Sequence, residues 1–205
     1  MTDRHEHWEK VYATKAATDL SWYQARARRS LEFIHAAAPD RSAPIIDIGG
    51  GASPLVDDLL ADGYVDLSIL DISEAALAQA KTRLGATRAD KVTWIAADIA
   101  AWTPPRRWAV WHDRAVFHFL VEKPQQNAYL AALTTATAPG ATAIFATFAL
   151  DGPDKCSGLA VQRYSPRLLA ERLGPSFRRV SEAAEHHHTP WGADQSFAWT
   201  VLERR

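Results

Sequence analysis

Ile45-Ile46-Asp47-Ile48-Gly49-Gly50-Gly51-Ala52-Ser53 sets an acid inside an apolar run and closes that run on three glycines, and Leu67-Ser68-Ile69-Leu70 is a second apolar run that ends on Asp71. An apolar β-branched strand closing on a glycine-rich turn brings backbone close to a nucleotide-like ligand, and the later acid is placed to hold a ribose. Asp71 offers two oxygens at the spacing of a diol, and its charge strengthens each bond. Gly49 and Gly51 act by lacking a Cβ, which allows unusual backbone angles and close approach of a ligand. A dinucleotide turn wants a further glycine where this chain has Pro54, and proline instead suits the first turn of a helix over 54–62. An internal acid, three glycines and no phosphate-binding Lys suit a ligand with a ribose and a cationic amino-acid tail rather than a pyrophosphate. Pro54 therefore speaks against a nicotinamide-dependent oxidoreductase, and Asp71 against a mere strand-to-helix turn.

Residues 45 to 51 match throughout the pattern apolar, apolar, Asp, apolar, Gly, any, Gly, and here the chain resembles the class I S-adenosylmethionine-dependent methyltransferases of the Rossmann-like superfamily. Val92-Thr93-Trp94-Ile95-Ala96-Ala97-Asp98-Ile99 resembles the family's third strand, and Trp108 to Leu120, with His112-Asp113-Arg114 and Phe117-His118-Phe119-Leu120, its fourth strand and following segment. The resemblance covers four motifs over residues 45 to 120. It implies S-adenosyl-L-methionine as cofactor, with Asp47, Gly49, Gly50 and Gly51 at its amino-acid portion. Asp71, with Ile72 next to it, falls at the ribose, Asp98 and Ile99 at the adenine, and Asp113 and Arg114 beside the methionine half. It also implies an α/β fold, a Rossmann-like seven-stranded, mostly parallel sheet with helices on both faces and a C-terminal antiparallel hairpin. Asp47 has two readings, orienting the cofactor's ammonium or pinning the glycine turn through backbone N–H groups. Asp98 also has two, acceptor for the adenine amino group or helix cap after its strand.

The elements that would hold these residues follow from pattern. Helices are expected over 5–15, 26–38, 54–62, 74–84 and 124–138, and strands over 45–48, 67–70, 92–96, 108–112 and 141–148. Ser73 caps the helix after Asp71, and Pro139-Gly140 makes the turn before the fifth strand. Ser165 to Leu173 reads as a capped helix, and 177–188 and 195–202 as two strands joined by a short loop, hence an antiparallel hairpin. The 205 residues suit one domain over 1–205, with 1–38 as an N-terminal helical cover or lid. Net charge is −1, which leaves no basic field for non-specific nucleic-acid binding. No apolar run reaches the roughly 18 to 20 residues of a membrane span. The single Cys156 excludes an internal disulfide and fits a reducing compartment, so a cytoplasmic protein is expected.

Methyl transfer needs chiefly alignment and exclusion of water, and a base only if the acceptor must lose a proton. Asp113 and His118 are the candidate bases; His118 has a site reading and a packing reading, and His112, inside an apolar strand, reads as a hydrogen-bonded core residue. Trp8 and Tyr12, four apart, read as a stripe packing on the core, whereas Trp22, in a loop with Tyr23, is placed to close over the ligand. The turn-rich stretch 151–164 lies at the ligand-bearing end of the sheet, where Lys155 and Arg163 could receive an anionic acceptor and Cys156 is either a reactive thiol or a small buried side chain. His186-His187-His188 alternate faces in a strand and lack a third ligand, so no metal is expected; one face of that hairpin borders the acceptor pocket or is a solvated strand end. Together these features predict methyl transfer to a small molecule. A protein lysine is the alternative acceptor, a cofactor-binding protein without turnover the alternative class. The family's amino-methylating nucleic-acid enzymes often carry Asn/Asp-Pro-Pro-aromatic at the fourth strand, and its absence from His112-Asp113-Arg114-Ala115 counts against adenine or glutamine nitrogen acceptors.

Overall fold

The computed structural model describes residues 3–205; Met1 and Thr2, the start of the expected lid, lie outside them. One seven-stranded sheet carries the fold: β1 (Ile45–Ile48), β2 (Leu67–Asp71), β3 (Val92–Ala96), β4 (Trp108–Arg114), β5 (Thr137–Phe148), and, after a two-stranded hairpin β6 (Lys155–Cys156) and β7 (Leu159–Ala160), β8 (Phe177–His188) and β9 (Asp194–Arg204). The order is β3-β2-β1-β4-β5-β9-β8, parallel from β3 to β5 and antiparallel at β9 and β8. The order reverses between β1, which leads to β2, and β4, which lies on its other side; that crevice beyond the strand ends is where ligands bind in open α/β sheets.

Helices cover both faces: α1 (Asp3–Thr14), α2 (Arg28–Ala37), α3 (Leu55–Ala61), α4 (Glu74–Leu84), α5 (Ala86–Ala89), α6 (Lys123–Ala136) and α7 (Pro166–Leu173). β1 is buried along its whole length, yet its side chains still alternate. Ile45 packs with α2, α3 and α4 through Leu31, Ile34, Leu59 and Leu77, while Ile46 and Ile48 join Trp111, Tyr129, Leu133 and Leu169 under α6 and α7.

Several boundaries differ from expectation for local reasons. Pro54 caps α3 rather than opening it, with φ −75. β4 runs two residues further than 112, so Asp113 and Arg114 are sheet residues. α6 stops at Ala136 and β5 begins at once, Thr137 pairing with Trp108. The Pro139-Gly140 turn is thus a bulge inside β5, where the partner of Val110 jumps to Thr142 and Gly140 takes φ 88. α5 and the β6–β7 hairpin carry no long hydrophobic period and were not expected.

Ser73 caps α4 as its sequence predicts, its Oγ accepting Ala76 N–H at 3.1 Å, and the same hydroxyl donates to Glu9 of α1 at 2.8 Å. Ser73→Ala removes both bonds. It is expected to lower stability by ~1–2 kcal/mol, read as a lower urea midpoint at unchanged m-value.

Candidate active site

The glycine turn after β1 is held by contact on every side. Gly49, at φ +69, donates its N–H to Leu70 O at 2.6 Å. A Cβ on Gly49 would meet Val116 Cγ2 at 2.1 Å, one on Gly50 Asp47 Oδ2 at 2.4 Å, and one on Gly51 Asp71 Oδ2 at 2.4 Å. The turn is therefore pressed between two buried carboxylates. Asp71 Oδ1 accepts Ser73 N–H at 2.9 Å. Burial, with smaller contributions from Asp47 and Glu9, pushes its pKa up to about 7. Asp47 takes neither expected partner from the protein: its Oδ1 lies 2.6 Å from His112 Nδ1, directly across from it on β4. His112 is the hydrogen-bonded buried residue its apolar strand implied, with Nε2 unpartnered.

Two cavities meet over this turn and share Tyr12, Trp22, Gly49 and Arg114. The first runs from the ends of β2 and β3, with Asp71, Ile72, Asp98 and Ile99, to the end of β4 and the β6–β7 hairpin, with Arg114, Val116, Phe119 and Cys156. The second reaches beneath the turn to Asp47, Gly50, Ser30 and His112. Of the expected cofactor residues, Asp113 and Gly51 alone are absent from both linings, Gly51 lying behind the Asp71 carboxylate. No helix follows Asp98 for it to cap; its Oδ1 instead accepts Ala100 N–H within a turn at 3.0 Å, and its two oxygens also receive Arg4 of α1 at 3.1 and 3.0 Å.

The expected bases are corrected. Asp113 faces α6, away from both cavities: Tyr129 OH donates to Oδ2 at 2.5 Å, and Val116 and Phe117 N–H groups donate at 2.9 and 3.1 Å. Burial raises its pKa to about 6, but its oxygens are spent clamping the turn after β4, where Ala115 takes φ 71. His118 is fully buried and its Nδ1 accepts Phe148 N–H at 3.2 Å. Burial pushes its pKa down to about 3, so the ring is neutral with its proton on Nε2 and its basic nitrogen occupied. The packing reading holds for His118, and the site reading falls with it. Arg114 stays in the crevice because it alternates with Asp113 across β4; its Nη1 donates to Trp22 O at 3.0 Å.

Sequence reasoning missed several residues. Trp8 packs against the cluster of Val11, Tyr12 and Leu20 as its stripe implied, but it also lines the first cavity and meets Trp22 and Phe119 edge-on, with ring centres 5.6 and 5.0 Å away. Arg4, Trp8 and Tyr12 recur at four-residue spacing, which was the available signal for a ligand-facing stripe. From the 151–164 stretch Cys156 enters the cavity, whereas Lys155 is exposed and Arg163 donates to Gly152 O. Burial lifts the Cys156 thiol to about 11, which makes it unreactive at neutral pH. His187 points inward to Ser21 O at 2.7 Å, and His186 and His188 are exposed. Glu185, on the same face, accepts Gln24 Nε2 at 2.8 Å and Trp199 Nε1 at 2.7 Å. The inner face of β8 thus holds the Trp22 loop.

Residues 45–140 match the family model of a methyltransferase domain. Trans-aconitate 2-methyltransferase of Sinorhizobium medicae is 30% identical over 132 residues, 63% of this chain and 48% of that protein. The mouse eEF1A lysine and N-terminal methyltransferase is 31% identical over 83 residues, 40% of this chain and 12% of that protein. The chain spans about half, or far less, of the length of these relatives. Among solved structures, the N-methyltransferase NodS of Bradyrhizobium japonicum with S-adenosyl-L-homocysteine superposes with a TM-score of 0.74 at 15% identity, covering 99% of each chain. The 1,6-didemethyltoxoflavin-N1-methyltransferase of Burkholderia thailandensis gives 0.70 at 18% identity, covering 98% of this chain and 83% of that one. The match to a methyltransferase domain thus falls on residues 45–140, within a fold shared with S-adenosylmethionine-dependent methyltransferases of known structure.

The residues present fit S-adenosylmethionine: buried acceptors are available to a diol and an ammonium, and the turn between them is stripped of Cβ atoms. An ionised Asp71 would accept both ribose hydroxyls; a protonated one would not. With its pKa near 7, S-adenosylhomocysteine is expected to bind about tenfold more tightly at pH 8 than at pH 6 in calorimetric titration. Asp71→Asn should flatten that slope and weaken binding at pH 8 by about tenfold or more. Gly51→Ala, whose methyl enters the Asp71 carboxylate, is expected to abolish detectable binding.

Proposed function

We propose that this protein transfers a methyl group from S-adenosylmethionine to a small-molecule acceptor and releases S-adenosylhomocysteine. The observation that carries this reading is the enclosure of the first cavity: α1, the Trp22 loop and the β6–β7 hairpin all contribute walls above the sheet ends. Residues 1–38 act in this reading as the lid of a single domain. Asp71 takes the ribose, Asp98 and Ile99 border the adenine, and Asp47 with the glycine turn receives the amino-acid tail. S-adenosylmethionine supplies a methyl group already activated on a positive sulfur. The protein's own contribution is alignment: Trp8, Trp22 and Phe119 shield the β4 end of the cavity from water, which favours a displacement that consumes charge.

Arg4 couples lid and cofactor site, because it holds the Asp98 carboxylate from α1 at 3.0 Å. A protein lysine would have to pass the same walls, which is why the small-molecule acceptor is preferred.

Incubating the protein with methyl-labelled S-adenosylmethionine and a cell extract is expected to put label into small products. Label on a protein band would favour the lysine acceptor; cofactor binding without any labelled product would favour a binding protein. Arg4→Ala, which frees the lid, is expected to speed S-adenosylhomocysteine release about threefold to tenfold in stopped-flow displacement.

A further inference from the structure

Asp47 and His112 stand directly opposite one another on the parallel pair β1–β4, and both are buried, at 3% and 1% exposure. An ionised carboxylate only accepts, so their 2.6 Å contact is a bond given by His112 Nδ1–H to Asp47 Oδ1. The imidazole also packs near the Trp199 ring, with centres 6.2 Å apart. Its other nitrogen, Nε2, is sealed in without a partner. His112 borders the second cavity, yet neither of its nitrogens is open to a ligand. A ring placed in this way passes no proton to a substrate, and what it does for the site it does through Asp47.

Asp47 Oδ2 has the opposite character. It takes no hydrogen bond from the described residues and, unlike His112 Nε2, is not sealed off. Its residue lines the second cavity beneath the glycine turn, and a Cβ on Gly50 would stand 2.4 Å from this oxygen. The cation lining that cavity, Arg114, lies within the field of Asp47 as well as that of Glu185. It gives its Nη1 to Trp22 O, however, and forms no ion pair with Asp47 among the described residues.

A carboxylate turns about its last torsion at little cost. With both oxygens free, a buried one would swing toward the nearest donor, and here a guanidinium is at hand. The His112 bond removes that freedom. It fixes one oxygen between the two strands and leaves the other at the glycine turn.

We propose that His112 is a positioning residue for the cofactor's ammonium: by holding Asp47 Oδ1 it presents Oδ2 to that group; this rests on the methyltransferase reading above. The ammonium is met by a charge-assisted bond whose direction is set from the neighbouring strand. An Asp47 free to turn would lose part of that bond in being ordered, and Arg114 would compete for it.

The test is calorimetric titration with S-adenosylhomocysteine and with its deamino analogue, the same adenosyl thioether ending in butanoate, which lacks only the ammonium. The readout is the ratio of the two affinities. The wild-type protein is expected to favour S-adenosylhomocysteine about tenfold or more. His112→Phe keeps an aromatic ring, removes the donor and is expected to lower that ratio to about threefold or less. His112→Asn places an amide nitrogen where Nδ1 stood and should restore most of the ratio, whereas His112→Gln, whose amide lies at the level of Nε2, should not. A wild-type ratio near one overturns the proposal. So does a His112→Phe protein that weakens equally on both ligands and keeps the ratio, since that marks a packing role. Equal ratios in the Asn and Gln variants overturn it whether or not the Phe variant folds. A wild-type protein that binds neither ligand removes the methyltransferase reading instead.

Discussion

Space at the end of β1 is the constraint on which the rest depends. Asp47 and Asp71 are buried on adjacent strands, each with an oxygen 2.4 Å from where a Cβ on Gly50 or Gly51 would stand. Burying two acids costs free energy unless hydrogen bonds or opposite charge answer them. The protein answers only in part, with His112 for Asp47 and Ser73 for Asp71. The remaining acceptor capacity is what a ribose and an ammonium would complete, so the site is destabilised by design where its ligand is to bind. The glycines let backbone close in without filling the space the ligand needs.

Legibility from sequence followed the range of the interactions. Strands β1, β2 and β3, the Ser73 cap and the C-terminal hairpin were readable because apolar runs, caps and turn residues act locally. The glycine turn and the place of Asp71 at the end of β2 were readable because both follow from where each apolar run stops. Asp113 and His118 failed for the opposite reason. Their motif matches a family pattern, but face and partner depend on Tyr129 and Phe148, which lie on other elements. The Asp47–His112 pair was hidden because register between β1 and β4 cannot be read from either strand alone. The second role of Trp8, at the cavity wall, was hidden because a helical aromatic stripe looks the same whether it packs on a core alone or also borders a cavity.

The N-terminal segment is integrated rather than appended. Glu9 bonds Ser73 Oγ and Ala75 N–H at the start of α4, Gln79 donates to Tyr12 O at 2.6 Å, and Arg4 reaches Asp98. These contacts tie α1 to α4 and to the turn after β3, so the position of α1 and the shape of the Asp98 end of the first cavity are set together. On the other side of the crevice the same role passes to Arg114, His187 and Glu185, which fix the loop carrying Trp22.

That last tie spans long sequence distances: His187 and Ser21 are 166 residues apart, Glu185 and Gln24 161. Without β8 the Trp22 loop would keep the bond from Arg114 to Trp22 O and lose the two ties that reach it from the far edge of the sheet. The edge strand most distant in sequence therefore acts as a clasp on a loop near the N-terminus.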